Sequence, residues 1–313
     1  MRRMNAGFRV VVVATVLVLS SLAATAQASL PPAEAAALER LTTSPRHGEW
    51  VSLEAGAGDR FDAWVVYPER SDKAPVVLVV HEIFGLSDWV RAVADQLAAD
   101  GFIAIAPDFL SGKAPDGKGS RALTADQARA LIPSLKLPEI VSRLDAAARY
   151  GTSLPAATKE FGVVGYCWGG GISFAYATEQ PELDAAVVYY GTSPSVESLA
   201  RVRAPVLGLY GGDDARVNAT VPAAEAELKR LGRSFEVETY VGAGHGFLRQ
   251  QDGRAANRAA AEKAWPRTIE FLRAALAPRG SSIDGAAAAE IAATAASDDC
   301  GDACMIPVDV AGR

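Results

Sequence analysis

Five short runs in the middle of the chain restrict its fold more than any other feature: "APVVLVVH", "FIAIAPD", "FGVVGY", "DAAVVYYG" and "APVLGLYG". A run that is apolar at nearly every position, rather than at alternate ones, must be covered on both faces. Between the runs lie helical stretches. One starts at Ser87 or Asp88 and is stopped after Ala99 by Asp100-Gly101, and others cover 124–132 and 137–149. "WGGGISFAYATEQ" follows the third run, Val221 to Leu231 is closed by Gly232, and 255–276 is a long amphipathic stretch. "FEVETYVG" supplies a last strand, while "EWVSLEA" and "DAWVVYP" form an earlier pair with alternating apolar positions. Repeated strand–helix–strand units predict an α/β fold of the α/β-hydrolase kind, a mostly parallel central sheet with helices on both faces.

The two ends differ from this middle. Arg2, Arg3 and Arg9 flank the start of an apolar run from Val10 to Leu22, and Ala26-Gln27-Ala28 has the small-x-small form of a cleavage site. Residues 1–28 are therefore expected to be a signal peptide, the alternative being an uncleaved anchor. The run is shorter than the roughly 20 residues that span a bilayer. The mature protein is expected in the periplasm or outside the cell, without a stable membrane anchor. The folded domain is expected over 45–277, followed from 278 by an alanine-rich tail. Cys300 and Cys304 in "DDCGDACMIP" lie in that tail, at a spacing that permits a disulfide ring, a metal contact or two spare thiols.

The net charge is −6 with both signs scattered, so no basic stripe marks a nucleic-acid partner. "GYCWGGG" lacks the lysine and hydroxyl of a phosphate loop, the three histidines are dispersed, and His81-Glu82 lacks the second histidine of a zincin. No cofactor and no metal are expected, and a monomer is expected.

Cys167 is the residue that asks for a reason. It ends the "FGVVGY" run, precedes a helix, and sits in Gly165-x-Cys167-x-Gly169, the nucleophile-elbow pattern with sulfur in place of oxygen. The alternative is a small buried hydrophobe. A cysteine nucleophile needs a base, and in this architecture the histidine follows nucleophile and acid in the chain. His245, in "VGAGHGFLRQ", is the one histidine after Cys167; His47 precedes the sheet and is expected on the surface. Asp213 and Asp214 in "VLGLYGGDDARV" are both placed to orient the imidazole, and spacing leaves the choice between them open. Glu82, after the third strand, either approaches the thiol and imidazole and tunes them or faces solvent. The backbone N–H groups of Trp168 and Ile83 are the expected oxyanion donors.

"HEIFGLSDWVRAVADQLAADGFIAIAPDF", "GVVGYCWGG", "YGGDD" and "GAGHGFLR", in that order, resemble the dienelactone hydrolase family of α/β-hydrolases from about residue 50 to 275. The resemblance implies Cys167 as nucleophile, Asp214 as orienting acid, His245 as base, and Glu82 as the carboxylate that contacts the resting thiol and moves when substrate binds. It also implies that Arg249 holds a substrate carboxylate. Phe84 and Phe247 are expected beside the substrate; for Phe84, as for Trp89, Phe109 and Trp168, the alternative is a core residue. The chain departs from the family's dienelactone-cleaving members at "PDFLSGKAP", where Gly112 lies near the position of a second substrate arginine; Lys113 and Arg121 are the nearby cations. The reaction read from these residues is hydrolysis of a small ester or lactone through an acyl-thioester. The alternatives are a redox-reactive monothiol protein and a non-catalytic binding protein on the same scaffold.

Overall fold

The computed structural model describes residues 29–56, 58–115 and 117–278. The leader and the tail with Cys300 and Cys304 lie outside the described residues. Eight strands form one sheet: β1 Gly48–Glu54, β2 Arg60–Val66, β3 Ala74–Val80, β4 Ile103–Pro107, β5 Ala157–Tyr166, β6 Ala185–Tyr189, β7 Val206–Gly211 and β8 Phe235–Tyr240, in the order β1-β2-β4-β3-β5-β6-β7-β8. β1 and β2 are antiparallel to their neighbours, and from β4 to β8 every pairing is parallel. β3 and β5 lie side by side in the middle; β3 and the 161–166 part of β5 are apolar and buried almost throughout, while β5 carries the polar Thr158, the exposed Lys159, and Glu160 near its start.

The helices are α1 Ala37–Thr43, α2 Asp88–Ala99, α3 Ala125–Leu131, α4 Leu137–Ser153, α5 Trp168–Glu179, α6 Ala215–Asn218, α7 Val221–Arg230 and α8 Ala255–Ala275. They cover both faces of the sheet. Val76, Leu78 and Val80 of β3 point into one core layer with Leu144 of α4 and Phe174 of α5. Val77 and Val79, one residue out of phase, point into the other with Val90 and Leu97 of α2 and Trp265 of α8. Among the described residues no helix is long and apolar enough to cross a membrane.

Local signals set most of the boundaries. α2 begins where expected because the Ser87 hydroxyl accepts the Val90 N–H. α4 runs four residues past the expected stop at 149. Gly151 does not end it, because this glycine lies against Ile105 and Val76, where a Cβ would collide with both.

The folded unit also begins earlier than residue 45. Trp89 Nε1–H donates to the Pro32 carbonyl at 3.0 Å and Gln251 Nε2–H to the Pro31 carbonyl at 2.9 Å. Arg40 Nε reaches the buried Asp95 carboxylate at 2.5 Å, where Arg46 also binds at 2.9 Å. Burial opposes the charge on Asp95, but hydrogen bonds from Arg46, Ser44 and Arg40 outweigh it and hold the carboxyl below its usual range.

The junction of β5 and α5 is a tight turn. Cys167 adopts φ 57° and ψ −117°, outside the regions open to most side chains. A Cβ on Gly165 would strike the Gly169 carbonyl, and a Cβ on Gly169 would strike the carbonyls of Val80 and His81. The two glycines thus let α5 start directly against β3 and β5. Gly169→Ala is expected to cost about 1–3 kcal/mol through overpacking against rigid backbone. Urea unfolding checks this: the midpoint falls at constant slope, whereas an unchanged midpoint would contradict the packing argument.

Candidate active site

The strands from β4 to β8 end on one rim of the sheet, and their loops bring together residues that the chain separates widely. Cys167 leaves β5, Glu82 to Phe84 leave β3, Asp214 follows β7, and His245 follows β8. The Cys167 thiol lies 3.0 Å from His245 Nε2. On the other side of the ring, Nδ1–H donates to Asp214 Oδ2 at 2.5 Å. Asp214 is buried and also caps α6, accepting the Val217 N–H at 3.4 Å. Asp213 points outward and pairs with Arg254 at 2.9 Å. The fold therefore separates two acids that their spacing could not.

Glu82 is buried rather than solvent-facing, with 2% of its surface exposed. Its Oε2 lies 2.8 Å from Arg249 Nε, close enough for an ion pair but without the alignment of a hydrogen bond, so both atoms lack one. Burial pushes the Glu82 carboxyl up to about 7, against the pull of Arg249. Burial, and after it the charge of Glu82, push the Cys167 thiol up to about 11; the Trp168 N–H, Arg216 and Arg249 pull the other way. The resting thiol is thus protonated at neutral pH, and its hydrogen is the donor to His245 Nε2.

Arg249 reaches the site by an unexpected arrangement. Besides Glu82 it pairs through Nη1 with Glu34, its carbonyl accepts the Glu34 N–H at 3.1 Å, and its guanidinium lies over the Phe84 ring at 4.9 Å. Glu34 belongs to the segment before α1, where no motif points to a contact with the site.

A cavity of about 630 Å³ opens over the thiol. Ile83, Phe84 and Trp168 line it, as expected of the residues whose backbone or ring was assigned there. Phe247 does not. It is fully buried among Tyr189, Tyr190 and Tyr240, so the expectation that it touches substrate is corrected: the loop after His245 turns this ring down into the core. Trp89 and Phe109 are likewise core residues. Lys113 pairs with Glu139 at 2.9 Å, Arg121 pairs with Asp62 at 3.1 Å and lies over Trp50 at 4.2 Å, and neither lines the cavity. The cation that does, besides Arg249, is Arg216 of α6, which sequence reasoning passed over. The signal was available in "GDDARV", two residues beyond the acid.

His81 is a structural residue. Its Nδ1–H donates to the Glu82 carbonyl at 2.7 Å, and its Nε2 accepts the Phe109 N–H at 3.3 Å. Burial lowers its pKa and keeps the ring neutral, stacked on Trp168 at 5.5 Å. Among the described residues no group of three or more His, Cys, Asp or Glu side chains is arranged to hold a metal ion.

Known proteins match this arrangement along the same stretch. A sequence profile described as the dienelactone hydrolase family matches residues 61–276. A carboxymethylenebutenolidase of Pseudomonas putida is 32% identical over 233 residues, which cover 72% of this chain and 95% of that protein. The solved structure of a dienelactone hydrolase-like promiscuous phosphotriesterase from metagenomic libraries superposes with a TM-score of 0.62 at 24% identity, covering 72% of this chain and 98% of that one. A dienelactone hydrolase from Anabaena variabilis does so with a TM-score of 0.55 at 24% identity, covering 74% and 99%. At these identities the two structures speak for the fold; the profile and the Pseudomonas relative speak for the family. With its α/β-hydrolase sheet and its elbow after β5, the chain belongs to the dienelactone hydrolase family, a family of hydrolases.

Proposed function

We propose that the protein hydrolyses small carboxylic esters or lactones, with Cys167 as nucleophile and a thioester as the intermediate. The observation that carries this reading is the run of contacts from the elbow thiol to His245 and on to the buried Asp214. Sγ–H gives its proton to His245 Nε2 as Sγ bonds to the carbonyl carbon and the π electrons move to oxygen. The N–H groups of Trp168 and Ile83 receive that oxyanion. Collapse expels the alkoxide, which takes the proton from Nε2 and leaves an acyl group on Cys167. Water then gives a proton to Nε2 and attacks the thioester, and the thiolate leaves and is reprotonated. Asp214 holds the ring in the tautomer that this sequence needs and stabilises the imidazolium.

Glu82 acts in this scheme as a brake. Its charge opposes a thiolate beside it, so whatever neutralises or displaces that carboxylate favours attack. A thiol held protonated also reacts slowly with peroxide, which weighs against a redox monothiol. A binding protein would leave the oriented base without a role. The leader supports export of this activity to the periplasm or beyond.

Replacing Cys167 by Ala is expected to lower kcat/KM on an activated phenyl ester by about 10³-fold or more, and Asp214→Asn by a comparable factor at unchanged fold. Steady-state kinetics with circular dichroism checks both; full activity in Cys167→Ala would end the proposal. The brake has its own test. Glu82→Gln removes the negative charge beside the thiol, so the midpoint of iodoacetamide alkylation of Cys167 against pH should fall below that of wild type. An unmoved midpoint would show that Glu82 does not govern the thiol.

A further inference from the structure

Arg249 has two carboxylate partners and holds them differently. Its Nη1–H donates a hydrogen bond to Glu34 Oε2. Its Nε lies 2.8 Å from Glu82 Oε2 without that alignment, so charge alone joins the second pair. The surroundings of the two acids differ as well. Glu34 keeps 59% of its side chain exposed, at a second cavity of about 480 Å³ that shares Phe84 and Arg249 with the first, whereas Glu82 is buried. Nor does Glu34 depend on Glu82 for its place. Its N–H donates to the Arg249 carbonyl at 3.1 Å, and just before it the Pro31 and Pro32 carbonyls accept from Gln251 and Trp89.

Arg249 itself is mostly buried, with 12% of its side chain exposed. A guanidinium in that position is costly without a counter-ion. If Glu82 were its sole partner, each displacement of that carboxylate would strand the charge. With Glu34 in place, Glu82 can leave while Arg249 keeps a hydrogen-bonded partner. We propose that Glu34 is a positioning residue for the hydrolysis: it stays on Arg249 as the second counter-ion and so lowers the cost of moving Glu82 out of its resting place. The inference rests on the hydrolase reading above, in which Glu82 is the brake, and names what allows the brake to be released. The ionisable groups around the Glu82 carboxylate are Arg249 and Glu34, the Cys167 thiol with His245 behind it, and the Tyr166 and Tyr190 hydroxyls. Burial raises Glu82 to about 7 and holds the thiol and both hydroxyls higher still. The ion pair with Arg249 is therefore present above that pH and is lost below it, as Glu82 takes up a proton.

The test is kcat/KM on phenyl acetate, an uncharged ester that brings no carboxylate to Arg249. It compares wild type, Glu34→Gln, Glu34→Asp, Glu82→Gln and the double variant Glu34→Gln/Glu82→Gln, with circular dichroism as the check on folding. Glu34→Gln should lower kcat/KM about fivefold or more at about pH 8.5 and much less at about pH 5.5, where there is no ion pair to break. Taking the ratio to wild type at each pH removes titrations common to both proteins, that of His245 included. Glu34→Asp should restore part of the loss, and in the Glu82→Gln background Glu34→Gln should make no further difference. An equal loss at both pH values, the same loss in both backgrounds, or undiminished activity at the higher pH would overturn the proposal. A second measurement does not depend on turnover. Carbon NMR of protein carrying carboxyl-labelled glutamate follows Glu82, assigned by the signal missing in Glu82→Gln. Glu34 raises the Glu82 pKa by its charge, and it shares the arginine that lowers it, so the midpoint should be lower in Glu34→Gln than in wild type. That shift supports the proposal even if phenyl acetate is not cleaved, a result that would count against the hydrolase reading alone. An unmoved midpoint would contradict the link from Glu34 to Glu82.

Discussion

Everything at the rim of the sheet depends on how closely α5 approaches β3 and β5. The absence of side chains at Gly165 and Gly169 permits that approach. It forces Cys167 into a backbone conformation that costs of order 1–3 kcal/mol when left to itself. The buried strands on either side supply the stabilisation that keeps the turn in place. In return the thiol stands clear of the sheet with α5 behind it, in reach of a histidine delivered from the opposite edge of the parallel block. A looser turn would let the cysteine sink into the core, which is the usual place of a free thiol.

Around this fixed point the charges fall into two groups with different tasks. Asp214 and His245 form one line, aimed at the sulfur. Glu82, Arg249 and Glu34 form another, which runs from beside the sulfur out to the segment before α1. The second line links the N-terminal segment to the protonation of the thiol: Glu34 shares Arg249 with Glu82, and Arg249 is what moderates the Glu82 charge. The structure thus attaches residues 29–44 at Asp95 on the back of α2, through the Pro31 and Pro32 carbonyls to Gln251 and Trp89, and through Glu34 at the site itself.

Much of this was legible in the sequence, for identifiable reasons. Strand segments buried on both faces have few polar positions, so β3, the 161–166 part of β5 and β7 stand out without any partner being known. Ser87 marks the start of α2 because a cap is a local interaction. The elbow is local too, hence Cys167 and its glycines. The choice between Asp213 and Asp214 was not local: both occupy one turn, and what distinguishes them is which side of that turn faces His245. Phe247 sits two residues from the base and was read as a site residue, yet the chain reverses there and three tyrosines enclose the ring. Arg216 looked like any exposed cation in a turn, because the wall it lines is assembled from loops after β3, β5, β6 and β7. Residues 29–44 carry few large apolar side chains, and their docking depends on carbonyls and arginines, which leave no periodic trace.

The central claim is that the elbow sulfur takes the acyl group and that His245 is needed to release it. Intact-protein mass spectrometry after mixing His245→Ala and Cys167→Ala separately with a phenyl ester tests it most directly. The account expects an added acyl mass that accumulates in His245→Ala, maps to the peptide containing Cys167, and never forms in Cys167→Ala. Rapid ester cleavage by wild type with no acyl mass on Cys167 in either protein, or an adduct that persists when Cys167 is absent, would contradict it.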